Sequence, residues 1–346
     1  MDNTYLLERF NMCATSLNQR LSRAIIKIPD YIKTQAQEIH IRVNKPIAIY
    51  CGSITYYLTM QHQLVSHCLP NNMLMATQRD VNESFHNLCS FSVYSRQEEI
   101  KNGYLTICGG HRAGICGTAV YTGNEISNVR DISSINLRIS KEVKGIAKKI
   151  LKSIHIEKGG LLLCGVPACG KTTFLRDLSR ILSTEENYKV CIIDERGEIG
   201  GTHYGVAQND VGMCDVLDGY KKADGIIHAV RCMSPQIIVC DEIGSNDEAE
   251  SIKACLNSGV SVIASIHCTS VRELLTKPQS KAMLSTGAFE YITFMSDRNH
   301  PGIIKEIYTL EELKAYETDR LHTLDSKHNS NRLLSVAGTS TQNDVV

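Results

Sequence analysis

A run of three leucines, Leu161 to Leu163, leads directly into Gly165-Val-Pro-Ala-Cys-Gly170-Lys171-Thr172, which satisfies G-x-x-x-x-G-K-[ST] at every position. That pattern describes a phosphate-binding loop, and it needs a particular setting. A short buried strand must deliver the chain to a glycine-rich turn whose N–H groups wrap a polyphosphate. A helix must then start with its positive end facing the same anion. Leu161 to Leu163 supply the strand, and Phe174, Leu175 and Leu178 supply a helix face to bury against it. Gly165, Val166, Pro167, Ala168, Cys169, Gly170, Lys171, Thr172 and Thr173 are therefore the expected nucleotide-binding residues. Lys171 would reach the β and γ phosphates, and the Thr172 hydroxyl would hold Mg²⁺. The expected ligand is ATP with Mg²⁺.

The chain beyond the loop fits the same fold. Apolar runs recur at Val190 to Ile193, Ile237 to Cys240, Val260 to Ser265 and Ile292 to Met295, separated by helical stretches such as Ala223 to Met233 and Asp247 to Asn257. Strands alternating with helices imply an α/β domain, a mostly parallel sheet covered on both faces. The region before the loop has another character. Leu6, Leu7, Phe10, Leu17, Leu21 and Ile25 recur near helical spacing, and Glu38 to Tyr50 alternates as a hairpin about Asn-Lys-Pro. Thr77 to Val93 has helical character. Tyr104 to Tyr121 predicts a second hairpin with Gly109 to Gly114 at its tip, and Ile135 to Ile139 a further strand.

The expected organisation is a smaller N-terminal α+β domain over 1–140, a P-loop ATPase domain over 141–315 and a disordered tail over 316–346, which is rich in Ser, Thr and Asn. Lys141 to Ile154 places Val143, Ile146, Ile150 and Ile154 on one side and lysines on the other, which predicts an amphipathic linker helix about which one domain moves.

Composition narrows the functional classes. Lys plus Arg and Asp plus Glu are 37 each, so no overall basic field exists to hold nucleic acid or an anionic membrane. The opening MDNTYLLERFNM lacks an apolar run of signal length, and no run of about 18 apolar residues occurs. The expectation is a cytosolic protein that meets a membrane only through partners. The 14 cysteines include no C-x-x-C pair, and Cys164, Cys191 and Cys240 lie inside apolar strands. They read as small hydrophobes in a reducing compartment. Cys169, at the positive start of a helix beside Lys171, predicts a thiol of lowered pKa whose alkylation slows when ATP binds.

Acids at strand ends are the candidate catalytic groups, since ligands of open α/β sheets bind there. Ile237 to Cys240 ends in Asp241-Glu242, the form of a Walker B strand. These two acids would hold Mg²⁺ or polarise the attacking water. Cys191-Ile-Ile-Asp194-Glu195-Arg196-Gly-Glu198 is a second acidic strand end, where Glu198 or Glu195 could orient water as general base. A third strand ends in His267, placed to sense the γ-phosphate. Arg231, Arg112, Arg130 and Arg138 are the candidates to neutralise transition-state charge, in the same subunit or a neighbouring one.

Together, the phosphate loop, DERGE, HAVRCMSPQIIVCDEIG and VIASIHCTS, in that order, resemble the RecA-like core of type II and type IV secretion ATPases. EIHIRVNKP, GGHRAGICG, ISSINLRIS, IIDERGEIGG and QNDVGMCDVLDGYKKADG resemble, more closely, the stage III sporulation protein AA family of endospore-forming bacteria, from Glu38 to Leu310. The resemblance implies a mother-cell ATPase that assembles as a ring, in the form of a hexamer. It would energise a channel between mother cell and forespore with membrane-bound stage III sporulation proteins, and no nucleic-acid partner is expected. It places Glu198 at the catalytic glutamate of the acidic Asp box, Glu242 at the Walker B glutamate and His267 at the His-box histidine. Secretion ATPases usually carry Gly-Glu where this chain has Asp241-Glu242, so which acid is the base stays open. The rivals are a RecA-like nucleic-acid motor and a nucleotide-gated scaffold with little turnover.

Overall fold

In the computed structural model, which describes residues 3–68, 71–298 and 300–316, the alternating isoleucines near residue 40 form a hairpin. Its strands are β1 (Glu38–Arg42) and β2 (Ala48–Cys51). Ile39 pairs with Ile49, which sends both side chains to the same buried face. The chain divides into two compact units. One comprises Met1–Gly145 with Asp194–Gly212, and the other comprises Ile146–Ile193 with the chain from Met213 onward.

The first unit begins with helices α1 (Asn3–Thr15), α2 (Gln19–Ile26) and α3 (Asp30–Gln35). After β1 and β2 come β3 (Ile54–Leu58), β4 (Leu64–Val65), α4 (Gln78–Leu88), α5 (Gln97–Lys101), β5 (Tyr104–Ile107), β6 (His111–Thr122) and β7 (Glu125–Arg138). The strands form one antiparallel sheet in the order β4-β3-β2-β1-β7-β6-β5. Phe10, Leu21 and Ile25 from the helices, with Leu17 from the turn between α1 and α2, pack with Ile39, Ile41, Ile135 and Leu137 from the sheet. Burying each such side chain is worth roughly 1.5–3 kcal/mol. Thr77 caps α4, accepting from the Asp80 amide while Asp80 reaches back to the Thr77 N–H, so the helix starts one residue after its cap.

Two expectations need correction here. The second hairpin turns at Cys108 to Gly110, with Gly109 and Gly110 at φ of 78° and 64°, so His111 to Gly114 belong to β6 rather than to the tip. The strand expected over Ile135 to Ile139 is the end of the much longer β7. Over 116–130 the β6–β7 ribbon has no fully buried residue, so no apolar alternation marks it in the sequence.

The second unit comprises β8 (Gly160–Gly165), α6 (Lys171–Thr184), β9 (Val190–Asp194), β10 (Asp215–Asp218), α7 (Lys222–Cys232), β11 (Ile237–Cys240), α8 (Asn246–Asn257), β12 (Ser261–His267), α9 (Val271–Thr276), α10 (Pro278–Ser285), β13 (Phe289–Met295) and β14 (Ile304–Thr309). The strand order is β10-β9-β11-β12-β8-β13-β14. From β9 to β13 the neighbours run parallel, and only β14 is shown antiparallel to its partner. Leu162, Cys164, Val262, Ala264 and Ile266 share a core with residues of α7 to α10. The alternate residues, Leu161, Leu163 and Ser265, therefore fall on the opposite face, where α6 packs.

The linker helix expected over 141–154 is absent: this stretch is coil and turns, with a short 3₁₀ segment at Ile150–Lys152. Gly145 sits at φ 81°, outside the helical region, and the stretch is tied down by other bonds. Lys141 donates to the Thr34 carbonyl, and the Ala147 N–H donates to Asp177. Beyond Tyr316, the expected disordered tail lies outside the described residues.

Candidate active site

The buried strand β8 ends at Gly165, and the following turn is shaped by two residues in the left-handed region, Ala168 at φ 63° and Gly170 at φ 94°. Alternating hands of backbone curl a chain into a concave anion nest. α6 starts at Lys171 with its positive end at this nest, and Thr172 and Thr173 lie in its first turn. The Lys171 ammonium, 6% exposed, donates to the carbonyls of Gly165 at 3.0 Å and Val166 at 3.1 Å. Its charge is thus held across the loop by neutral acceptors, which an anion would outcompete. A cavity of about 570 Å³ backs onto Gly165 and Val166, walled by Cys268 to Arg272 and by β13 and β14.

Asp241 follows β11 at the same end of the sheet. Its carboxylate accepts from the Thr172 hydroxyl on one oxygen and from the Ser265 hydroxyl on the other. Ser265 is fully buried on β12, the strand between the phosphate-loop strand and the Asp241 strand, and it also accepts from the Glu242 N–H at 2.9 Å. Glu242 is exposed and held at φ 51°, a conformation that costs a side-chain-bearing residue about 1 kcal/mol or more. In the sequence Ser265 reads only as part of the apolar strand Val260 to Ser265. The signal available was a hydroxyl between Ala264 and Ile266 inside an otherwise apolar strand.

His267, the last residue of β12, lies in register with Gly165 and is exposed, so it stands at the mouth of the loop. Arg231 is elsewhere. It is exposed in the last turn of α7, which leads into the start of β11, the edge of the sheet opposite to Asp241. Cys169 is fully buried, and a Cβ built on Gly165 would lie 2.5 Å from its sulfur. The expectation of an alkylatable Cys169 therefore fails on access, because a reactive thiol needs exposure as well as a favourable field.

The acidic strand end and the N-terminal arginines form a second constellation, in the other unit. Asp194, 3% exposed, accepts from the backbone N–H groups of Glu198 at 2.8 Å, Ile199 at 3.1 Å and Gly200 at 2.8 Å. It is a staple for the loop that carries Glu198. Glu198 Oε1 lies 2.9 Å from Arg112 Nη1, and the Arg112 guanidinium stacks 3.6 Å from the centre of the Tyr104 ring. Arg138 is the cross-strand neighbour of Arg112 and pairs with Glu38 at 3.2 Å. Arg130 pairs with Asp131 at the exposed part of β7. Glu195 is half-buried directly after β9.

The donor set fits a magnesium nucleotide. Thr172 and Asp241 present hard oxygens to one another where a Mg²⁺ would be held between them, beside a nest of N–H groups and a lysine. The parallel sheet with this loop defines a P-loop ATPase fold of the α/β class. The pilus retraction motor PilT, solved with bound ADP, has the same fold: TM-score 0.53 at 13% identity, over 84% of this chain and 86% of that one.

The family model for sporulation stage III, protein AA, matches residues 8–314, and the chain belongs to that family. Stage III sporulation protein AA of Bacillus subtilis (strain 168) is 33% identical over 304 residues, covering 86% of this chain and 94% of its own length. The uncharacterized protein ycf45 of Cyanidium caldarium is 30% identical over 172 residues, 49% of this chain and 50% of its own. Among the described residues, no helix is long and apolar enough to cross a membrane.

Proposed function

We propose that this protein is a Mg²⁺-dependent ATPase that energises a sporulation channel between mother cell and forespore. It works as a ring, in the form of a hexamer, with membrane-bound stage III sporulation proteins. The observation that carries the ATPase reading is the clasp of Thr172 on Asp241 beside the Lys171 nest. Family membership supports the sporulation role.

In this reading the loop N–H groups and Lys171 bind the β and γ phosphates, and Thr172 with Asp241 holds the metal. Bound Mg²⁺ supplies charge neutralisation on the phosphate oxygens. Ser265 fixes the Asp241 carboxylate, and His267 meets the γ-phosphate end of the loop. Glu198 or Glu195, from this chain or a neighbour in the ring, orients the attacking water and takes its proton, with Glu242 as the other acid available for that task. Arg112 or Arg138, again in either subunit, or Arg231 from a neighbouring subunit, neutralises charge on the transferring group.

The test is Lys171→Ala in the full chain. Calorimetry with Mg-ATP and phosphate release should both lose their signal while the circular dichroism spectrum is unchanged. Retained turnover overturns the assignment. ATP-dependent assembly of the unaltered chain with negligible phosphate release would instead identify a scaffold.

A further inference from the structure

A loop that receives a polyphosphate through its N–H groups must keep its carbonyls turned away from the anion. Pro167 has no N–H, so its carbonyl is its only backbone hydrogen-bonding group. That carbonyl accepts from Arg298 Nε at 3.0 Å, across 131 residues of sequence. Two residues on, the Cys169 carbonyl accepts from the Gly302 N–H at 2.8 Å. Arg298 and Gly302 both belong to the connection between β13 and β14, which reaches over the outside of the phosphate loop.

The two backbones are in direct contact. A Cβ placed on Gly170 would lie 2.7 Å from the Gly302 nitrogen, and Gly302 itself sits at φ 80°. Only glycine at both positions allows this approach without strain.

We propose that the β13–β14 connection is a positioning clamp for the phosphate loop, with Arg298 as its side-chain donor. By holding the Pro167 and Cys169 carbonyls outward, it keeps the nest formed before nucleotide arrives. Preorganisation of this kind lowers the ordering cost of binding and so acts on affinity. Arg298 is a positioning residue and takes no part in the chemistry. The proposal rests on the reading that this loop binds nucleotide phosphates. The exposed position of Arg298 means that its removal spares the core.

The experiment compares the unaltered full chain with Arg298→Ala and Arg298→Lys, with circular dichroism to show that each folds. Hydrogen exchange of the peptide spanning the loop, measured without nucleotide, reads the clamp directly. Arg298→Ala should speed that exchange roughly tenfold, the size expected for losing one charge-assisted hydrogen bond. KM for Mg-ATP and the Kd for Mg-ADP should rise by roughly tenfold with kcat within about twofold, and Arg298→Lys should recover part of the change. Loop exchange unaltered in Arg298→Ala overturns the clamp. A fall in kcat at constant KM overturns the positioning role. If the unaltered chain binds no nucleotide, the ATPase reading fails on its own, and the exchange measurement still decides the clamp.

Discussion

Arg112 and Glu198 are paired, 2.9 Å from guanidinium nitrogen to carboxylate oxygen, with the guanidinium stacked on Tyr104. The pair joins an arginine that would neutralise transition-state charge to a glutamate that would activate water. Both side chains are about one-third exposed, so the pair contributes under about 1 kcal/mol to stability. Glu198→Gln is therefore expected to leave the fold intact and lower kcat by roughly 10²- to 10⁴-fold, the range for losing a general base. Arg112→Ala should lower kcat without weakening Mg-ADP binding. Steady-state phosphate release with ADP calorimetry checks both. Full turnover in Glu198→Gln would move the base assignment to Glu195 or Glu242.

Ser265 ties the Asp241 carboxylate to the Glu242 N–H from a fully buried position. Ser265→Ala removes one bond each from a part-buried N–H and a part-buried carboxylate oxygen, which should cost roughly 1 kcal/mol. Since Asp241 would hold the metal, the same change should raise the Mg²⁺ concentration needed for half-maximal turnover. A Mg²⁺ titration at saturating ATP reads this, and superimposable curves for the two proteins would exclude the role.

Thiol labelling separates packing from reactivity. Cys68, Cys108, Cys116 and Cys232 are exposed, whereas Cys164, Cys169, Cys191 and Cys240 are buried, and burial raises the thiol pKa of Cys191 to about 12. In native protein, Ellman's reagent should modify the exposed group quickly and the buried group only on unfolding. Cys169 should stay unlabelled with or without ATP. Rapid nucleotide-sensitive labelling at Cys169 would restore the expectation that its burial contradicts.

His111 is fully buried, with Nδ1 accepting from the Ser140 N–H at 3.0 Å, and burial together with the Arg9 charge lowers its pKa to about 3. Between pH 6.5 and about 3 the unfolded chain binds a proton that the folded chain does not. Stability conferred by neutral His111 is thus complete above pH 6.5 and declines as the pH falls, by roughly 2 kcal/mol at pH 5. His40, lowered to about 4 by partial burial and Arg42, acts in the same direction. Urea unfolding at pH 7 and pH 5 should show the loss, and His111→Gln should flatten the pH dependence.

The strand, turn and helix start around Gly165 to Thr172, the apolar strand that ends before Asp241 and the parallel α/β sheet are legible because each rests on short-range pattern: a motif of eight residues, or an apolar run followed by acids. Helix α8 shows the same locality, with its capping box at Ser245 and Glu248. The 141–154 stretch shows the limit. Its apolar spacing is helical, yet Gly145 takes a positive φ and Asp177, from α6, claims the Ala147 N–H.

The sequence by itself determined that a buried strand, a glycine turn and a helix start would follow one another, since Gly160 to Thr172 carries all three within one contiguous segment. Only the tertiary structure decided which partners hold that turn and the acids. Arg298 meets Pro167 across 131 residues, Ser265 meets Asp241 across 24, and Arg112 meets Glu198 across 86. It also decided that 194–212, which begins at the last residue of a strand of the parallel sheet, packs with the antiparallel unit. The physical reason is that a hydrogen bond between distant side chains leaves no periodicity in the chain. Its geometry exists only after the strands have taken their order in the sheet.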